Sequence, residues 1–190
     1  MPLILHGIGT AVPKQRLSQA EAVQVAYRIN AESPEQARLM SRIYQKTKVL
    51  NRGSVLLEND AELGTDQSRL SFYGSESPST AERMQAFGDH AGRLALEASL
   101  KAISDGNISS GAITHLVTVS CTGFQSPGVD LFLIEKLGLS PSVQRTHIGF
   151  MGCHGALNGL RVAHAFAEMD PKVVVLLCAV ELCSLHMAYG

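Results

Sequence analysis

The residues best suited to covalent chemistry lie between Arg145 and Arg161, in RTHIGFMGCHGALNGLR. A predicted strand runs into Gly149, the chain turns through Phe150-Met151-Gly152, and Cys153 follows at the expected first turn of a helix. Unpaired backbone N–H groups and the positive end of the helix dipole gather at such a position, and both favour a thiolate. A glycine just before the cysteine permits a tight turn and leaves room for a substrate carbonyl. Gly155, Ala156 and Gly159 keep one side of the helix small, so that neighbouring backbone can approach. This pattern predicts a buried nucleophile. His154 should point about a quarter-turn away from the thiol and is a poor choice for its base. The ordinary alternative for any free cysteine is a small core hydrophobe.

A second constellation is cationic. Arg38, Arg42 and Lys46 recur at four-residue spacing and form one stripe on a predicted helix, suited either to phosphate or to solvent. The four cysteines, Cys121, Cys153, Cys178 and Cys183, have no C-x-x-C pair and no ligand spacing. Reduced thiols are therefore expected, with no disulfide framework and no metal site.

The elements that must position these groups read as an alternation of strands and helices. Leu3 to Ile8 reads as a short strand. Ser18 with Glu21 opens a helix to about Ile29, and Ser33, Pro34 and Gln36 open another to about Lys46. From Arg52 to Pro78 the chain shows Gly53, Asn59, Gly64 and Gly74 without a sustained period, as in a functional or surface-wrapping connection. Ser79 and Glu82 cap a long helix to about Ile103. A strand over Ile113–Val119, a helix over Val129–Leu137 stopped by Gly138, a strand over Val143–Ile148, a helix over Cys153–Glu168 and a strand over Val173–Val180 complete the reading. The run Val173-Val174-Val175-Leu176-Leu177 has no polar alternation, as expected of a strand buried on both sides. The fold class is α/β, with a mostly parallel sheet covered on both faces.

Composition narrows the function. The chain has 190 residues, enough for one domain with a real core, of which 45% are hydrophobic and 17% charged. A formal net charge of -1 and the lack of tryptophan argue against nucleic-acid binding by bulk charge or base stacking. The start, MPLILHGIGTAVP, does not read as a secretory signal, and Val173–Val180 is too short to span a bilayer. A cytoplasmic protein is expected.

GFMGCHGALNGLR resembles the nucleophile segment of type III polyketide synthases, the chalcone synthase-like family, above all its bacterial members. The resemblance continues in order through GIGTAVP, PSTAERMQAFGDHA, ITHLVTVSCTGFQSPGVD and KVVVLLCAVELCSLH, nearly the whole chain. It implies a thiolase-like fold, with residues 1–190 as its N-terminal half and the C-terminal half absent. It implies that Cys153 takes an acyl group from a coenzyme A thioester and that a malonyl-CoA-derived carbanion then condenses with it. No permanently bound cofactor is implied, only acyl-CoA and malonyl-CoA as substrates.

The family's catalytic histidine and asparagine belong to the second half. None of His6, His90, His115, His147, His154, His164 or His186 matches that histidine. The isolated chain is therefore expected to be inactive, with the small-residue side of the Cys153 helix and apolar sheet surface left open. Arg42 and Lys46 match family positions that contact coenzyme A, whereas the third basic position falls on Leu39, beside Arg38. Cys121, Thr122, Cys183 and His186 match residues lining the substrate cavity. Ser126 matches one that crosses the interface of a homodimer. Glu181, a charge ending a buried strand, is read as structural and in need of a hydrogen-bond partner. Two rivals are a priming ketoacyl-acyl carrier protein synthase and a non-catalytic half that assembles with a complementary chain.

Overall fold

Capping chemistry sets the helix starts. The Ser18 hydroxyl accepts from the Glu21 amide at 3.2 Å, while the Glu21 carboxylate accepts from the Ser18 amide at 2.6 Å. Ser79 and Glu82 repeat the arrangement. There the Ser79 hydroxyl and then its amide, both donating to the carboxylate, hold the Glu82 carboxyl below its ordinary range. The computed structural model describes residues 4–31, 33–57, 72–73 and 77–187. Its elements are β1 (Arg16–Ser18), α1 (Gln19–Asn30), α2 (Pro34–Lys46), β2 (Asn51–Gly53), α3 (Thr80–Asp105), β3 (His115–Ser120), α4 (Val129–Leu137), β4 (Gln144–Gly149), α5 (Gly155–Met169) and β5 (Val175–Ala179). They fall into two compact units, Met1–Ala11 with Met84–Leu182, and Val12–Arg83 with Cys183–Gly190.

The first unit is built on a parallel sheet in the order β4-β3-β5. Every residue of β3 is buried, as the central strand of a covered sheet must be. One face meets α5: the His115 and Phe166 rings stack at 4.5 Å, and Val119 packs beneath Gly155 and Gly159. The other face meets α3, where the Cys178 thiol lies 3.9 Å from the Ala95 carbonyl oxygen. Burial pushes that thiol above its usual range. Gly138, at φ 63°, ends α4, and the Leu139 amide closes onto the Ile134 oxygen at 3.0 Å, as a helix-stopping glycine does.

In the second unit β1 pairs antiparallel with β2, Arg16 opposite Gly53. Leu17, Ala22, Val25 and Leu57 form its core, with Ile29, Tyr44 and Met187 packed against them. The Gln19 side chain donates to the Tyr44 oxygen at 2.7 Å and fastens α1 to the end of α2.

Several expectations need correction. Residues 4–8 form no strand; Ile4, Leu5 and Ile8 are exposed, and the Ile8 amide donates to Asp105 at 2.9 Å. No described strand lies beside this segment to supply a ladder, so its backbone turns to α3 instead. β5 is shorter than predicted and only alternately buried, at Leu176 and Cys178, because no described strand flanks its side away from β3. The small side of α5 is not open: a Cβ added to Gly155 would sit 2.8 Å from a Val119 methyl, and one on Gly159 2.6 Å from a Leu177 methyl. What approaches there is side chain rather than backbone. Leu157, Leu160 and Met169 are the large apolar residues of α5 that are exposed. Of the long connection, Asn59, Gly64 and Gly74 lie outside the described residues.

Candidate active site

The three described strands of the first unit run in the same direction, so their C-terminal ends form one rim. Open parallel sheets bind ligands along that rim. Ser120 at the end of β3 stands opposite Gly149 at the end of β4. The loop carrying Cys121, Thr122 and Ser126 therefore begins beside the turn that leads to Cys153. The Phe124 and Phe150 rings meet edge to face at 5.9 Å across these two connections.

Cys153 sits in a short 3₁₀ turn, Gly152–His154, that leads into α5. The predicted helix start is displaced by this turn, and the thiol residue is exposed rather than buried. The turn needs unusual backbone. Phe150 has φ 57° and Gly152 φ 65°, both left-handed. Glycine adopts that conformation at little cost, whereas a phenylalanine there stores about 1 kcal/mol or more of strain. This left-handed Phe150 was not legible in the sequence, because nothing in its residue type signals it.

Glu181 joins the rim from β5. Its carboxylate accepts from the Cys121 amide at 3.0 Å, the Thr122 amide at 3.0 Å and the Thr122 hydroxyl at 2.6 Å. The same hydroxyl oxygen accepts from the Leu182 amide at 2.8 Å. Thr122 is buried in this network, Cys121 is half-buried, and Ser126 is exposed before a cis peptide bond to Pro127. Glu181 thus has the partners that its position required.

The remaining predicted residues belong to the second unit. Cys183 and His186 bound a 3₁₀ turn with both side chains exposed and Leu185 buried within it. Tyr73 pins this turn, its hydroxyl donating to the Ser184 oxygen at 2.6 Å and accepting from the Met187 amide at 3.0 Å. Arg83 adds donation to the Leu185 oxygen, and the Ser54 and Ser184 hydroxyls bond at 2.8 Å. Arg42 and Lys46 project from the outer face of α2 together with Arg38, all exposed. Leu39 and Ile43 beside them are exposed too. The described residues hold no cluster of His, Cys, Asp and Glu arranged for a metal ion, and no described helix is long and apolar enough to cross a membrane.

Residues 2–188 match the family described as chalcone and stilbene synthases, N-terminal domain. The chain belongs to that family. It is 30% identical over 187 residues to an alpha-pyrone synthesis polyketide synthase-like protein of Mycobacterium tuberculosis, covering 98% of this chain and 46% of the relative. It is 35% identical over 179 residues to type III polyketide synthase C of Arabidopsis thaliana, covering 92% and 44%. Among solved structures, a polyketide synthase of the brown alga Ectocarpus siliculosus superposes with a TM-score of 0.85 at 31% identity, over 98% of this chain and 50% of that one. CsyB, solved in complex with CoA-SH, gives 0.79 at 30% identity, over 94% and 46%. The fold is the thiolase-like fold of type III polyketide synthases, and the chain spans about half the length of the curated relatives it matches.

Proposed function

We propose that this chain is the nucleophile-bearing half of a type III polyketide synthase. In this reading the Cys153 thiolate attacks the carbonyl of an acyl-CoA, coenzyme A leaves as its thiolate, and an acyl-cysteine thioester remains. Malonyl-CoA then loses carbon dioxide, its carbanion attacks that thioester carbon, and Cys153 departs as the thiolate. A histidine and an asparagine carried by the other half would activate the thiol and stabilise the enolate. The observation that carries the reading is the exposed Cys153 on a left-handed turn at the C-terminal rim of a parallel sheet. Family membership favours this chemistry over a carrier-protein-dependent priming synthase.

Arg42 and Lys46 are proposed to meet the phosphates of coenzyme A, supported by their shared exposed face. Cys121, Thr122, Cys183 and His186 are proposed to bound the substrate cavity. Thr122 acts there through backbone placement, since its hydroxyl is engaged by Glu181 and Leu182. A cytoplasmic homodimer with Ser126 at the subunit boundary completes the proposal, Ser126 being exposed on its loop. Incubation with hexanoyl-CoA followed by peptide mass mapping tests the reading. Acylation at Cys153, lost in Cys153→Ala, is expected; loading at Cys121 or Cys183 instead would overturn it. The 190 residues alone are expected not to decarboxylate malonyl-CoA, and turnover by the purified chain would refute the half-enzyme proposal.

A further inference from the structure

Phe150 holds its left-handed φ of 57° in the turn that leads to Cys153. A glycine would take that backbone without strain, whereas a residue with a side chain needs support from its surroundings. Burial does not supply the support, because 75% of Phe150 is exposed. The contact its ring makes is with Phe124, edge to face, with centroids 5.9 Å apart and planes at 60°. A pair in this geometry stabilises by an amount of the same order as one left-handed residue costs.

A buttress works only if it is itself fixed, and the loop around Phe124 is fixed along its length. The Phe124 amide donates to the Met84 sulfur of α3 at 3.4 Å. Just before it, Gly123 lies so close to the buried Phe87 ring that no Cβ would fit between them. Earlier still, the Cys121 and Thr122 amides donate to Glu181. Just after it, the Gln125 side chain fills the space over Gly88 of α3. We propose that Phe124 is a positioning residue for the nucleophile: its ring holds Phe150 in the left-handed conformation and so sets where the turn presents the Cys153 thiol. The proposal rests on the reading of Cys153 as the acyl acceptor. A plain apolar wall for an acyl chain could use the same two rings, but it would not depend on the backbone of residue 150.

That difference gives the test, a double-mutant cycle on the full 190-residue chain. The rate of iodoacetamide labelling at Cys153 is read against exposed Cys183 in the same molecule. Phe124→Ala is expected to slow Cys153 by roughly fivefold, through loss of the ring contact, and to leave Cys183 unchanged. Phe150→Gly should label near the wild-type rate. Adding Phe124→Ala to it should change nothing further, because a glycine stays left-handed without support. Phe124→Tyr keeps the ring and should behave as wild type. The backbone is read directly by the Phe150 intraresidue amide-to-Hα nuclear Overhauser effect, which is strong at positive φ and should weaken in Phe124→Ala. Equal slowing by Phe124→Ala with glycine at position 150 overturns the proposal, as does an unchanged Overhauser effect. If Phe124→Ala does not fold, Phe124→Leu, which keeps bulk without an aromatic edge, takes its place in the cycle. Hexanoyl loading of wild-type Cys153 is scored separately, so failure of the nucleophile and failure of the buttress are distinct results.

Discussion

Glu181 Oε2 stands 2.6 Å from the Thr122 hydroxyl oxygen, joining the end of β5 to the end of β3 through a charged acceptor. With the two backbone amides also donating to it, this carboxylate fixes the loop that carries Cys121. Glu181→Ala leaves those donors to water or to nothing. Because the glutamate is partly solvent-exposed, the expected loss is about 1–2 kcal/mol rather than the full cost of a buried charged bond. Urea unfolding measures it, and a wild-type midpoint would show the clamp to be dispensable.

Cys153 should be the first thiol to react with iodoacetamide, ahead of half-buried Cys121 and far ahead of buried Cys178. Exposure alone does not separate it from Cys183, which is also exposed. The turn that presents Cys153 at the C-terminal rim of the sheet is what should make it faster. Time-resolved mass mapping distinguishes the two, and earlier labelling at Cys183 would count against an activated Cys153.

Burial raises the Cys178 thiol in the folded state above its ordinary 9.0. As pH passes that ordinary value, the unfolded chain releases the proton and the folded chain keeps it, so the unfolded state binds fewer protons and stability falls. Its contribution is complete below about pH 9 and is lost above it, up to the raised folded value. Cys178→Ala should start less stable at pH 7, from lost packing, and decline less than wild type between pH 8 and 10. Parallel pH curves for the two proteins would rule Cys178 out as the source.

Arg42→Ala with Lys46→Ala should weaken coenzyme A ester binding by roughly tenfold at low ionic strength, and less at high salt, where phosphate contacts are screened. Calorimetric titration at two salt concentrations is the measurement. Equal affinity at low salt would return the stripe to a solvated helix face.

Gly155→Ala places a methyl 2.8 Å from a branched, buried valine in the central strand, and Val119 has little freedom to yield. Overpacking of about 1–3 kcal/mol should outweigh the roughly 1 kcal/mol gained in helix propensity. A net loss in thermal stability is expected, and stabilisation would mean that α5 can lift off the sheet.

The sequence revealed most where local chemistry decides the outcome. Ser18-Glu21, Ser33-Pro34, Ser79-Glu82 and Gly138 marked helix boundaries because caps act within a few residues of themselves. The three-residue strands β1 and β2 were missed, since two such short runs show no period and pair only across intervening chain. β5 was read as buried on both sides because its apolar run is continuous, but burial depends on a neighbour that no run of residues reveals. The nucleophile turn was legible through Gly152 and Cys153. Its exposure and the left-handed Phe150 were not, as both are set by what surrounds the turn.

The left-handed backbone at Gly152 also has a genetic consequence. No side chain crowds the place where a Cβ would go, so a replacement there is opposed by conformation rather than by collision. Asparagine tolerates this conformation best among residues with a Cβ, and its codons differ from every glycine codon in at least two bases. Aspartate, the next most tolerant, is one base away from two of the four glycine codons, but it would set a negative charge beside the attacking sulfur. Mutational drift at this codon therefore meets either strained backbone or an adverse charge at its first step, and the codon should accept little change for as long as Cys153 is in use.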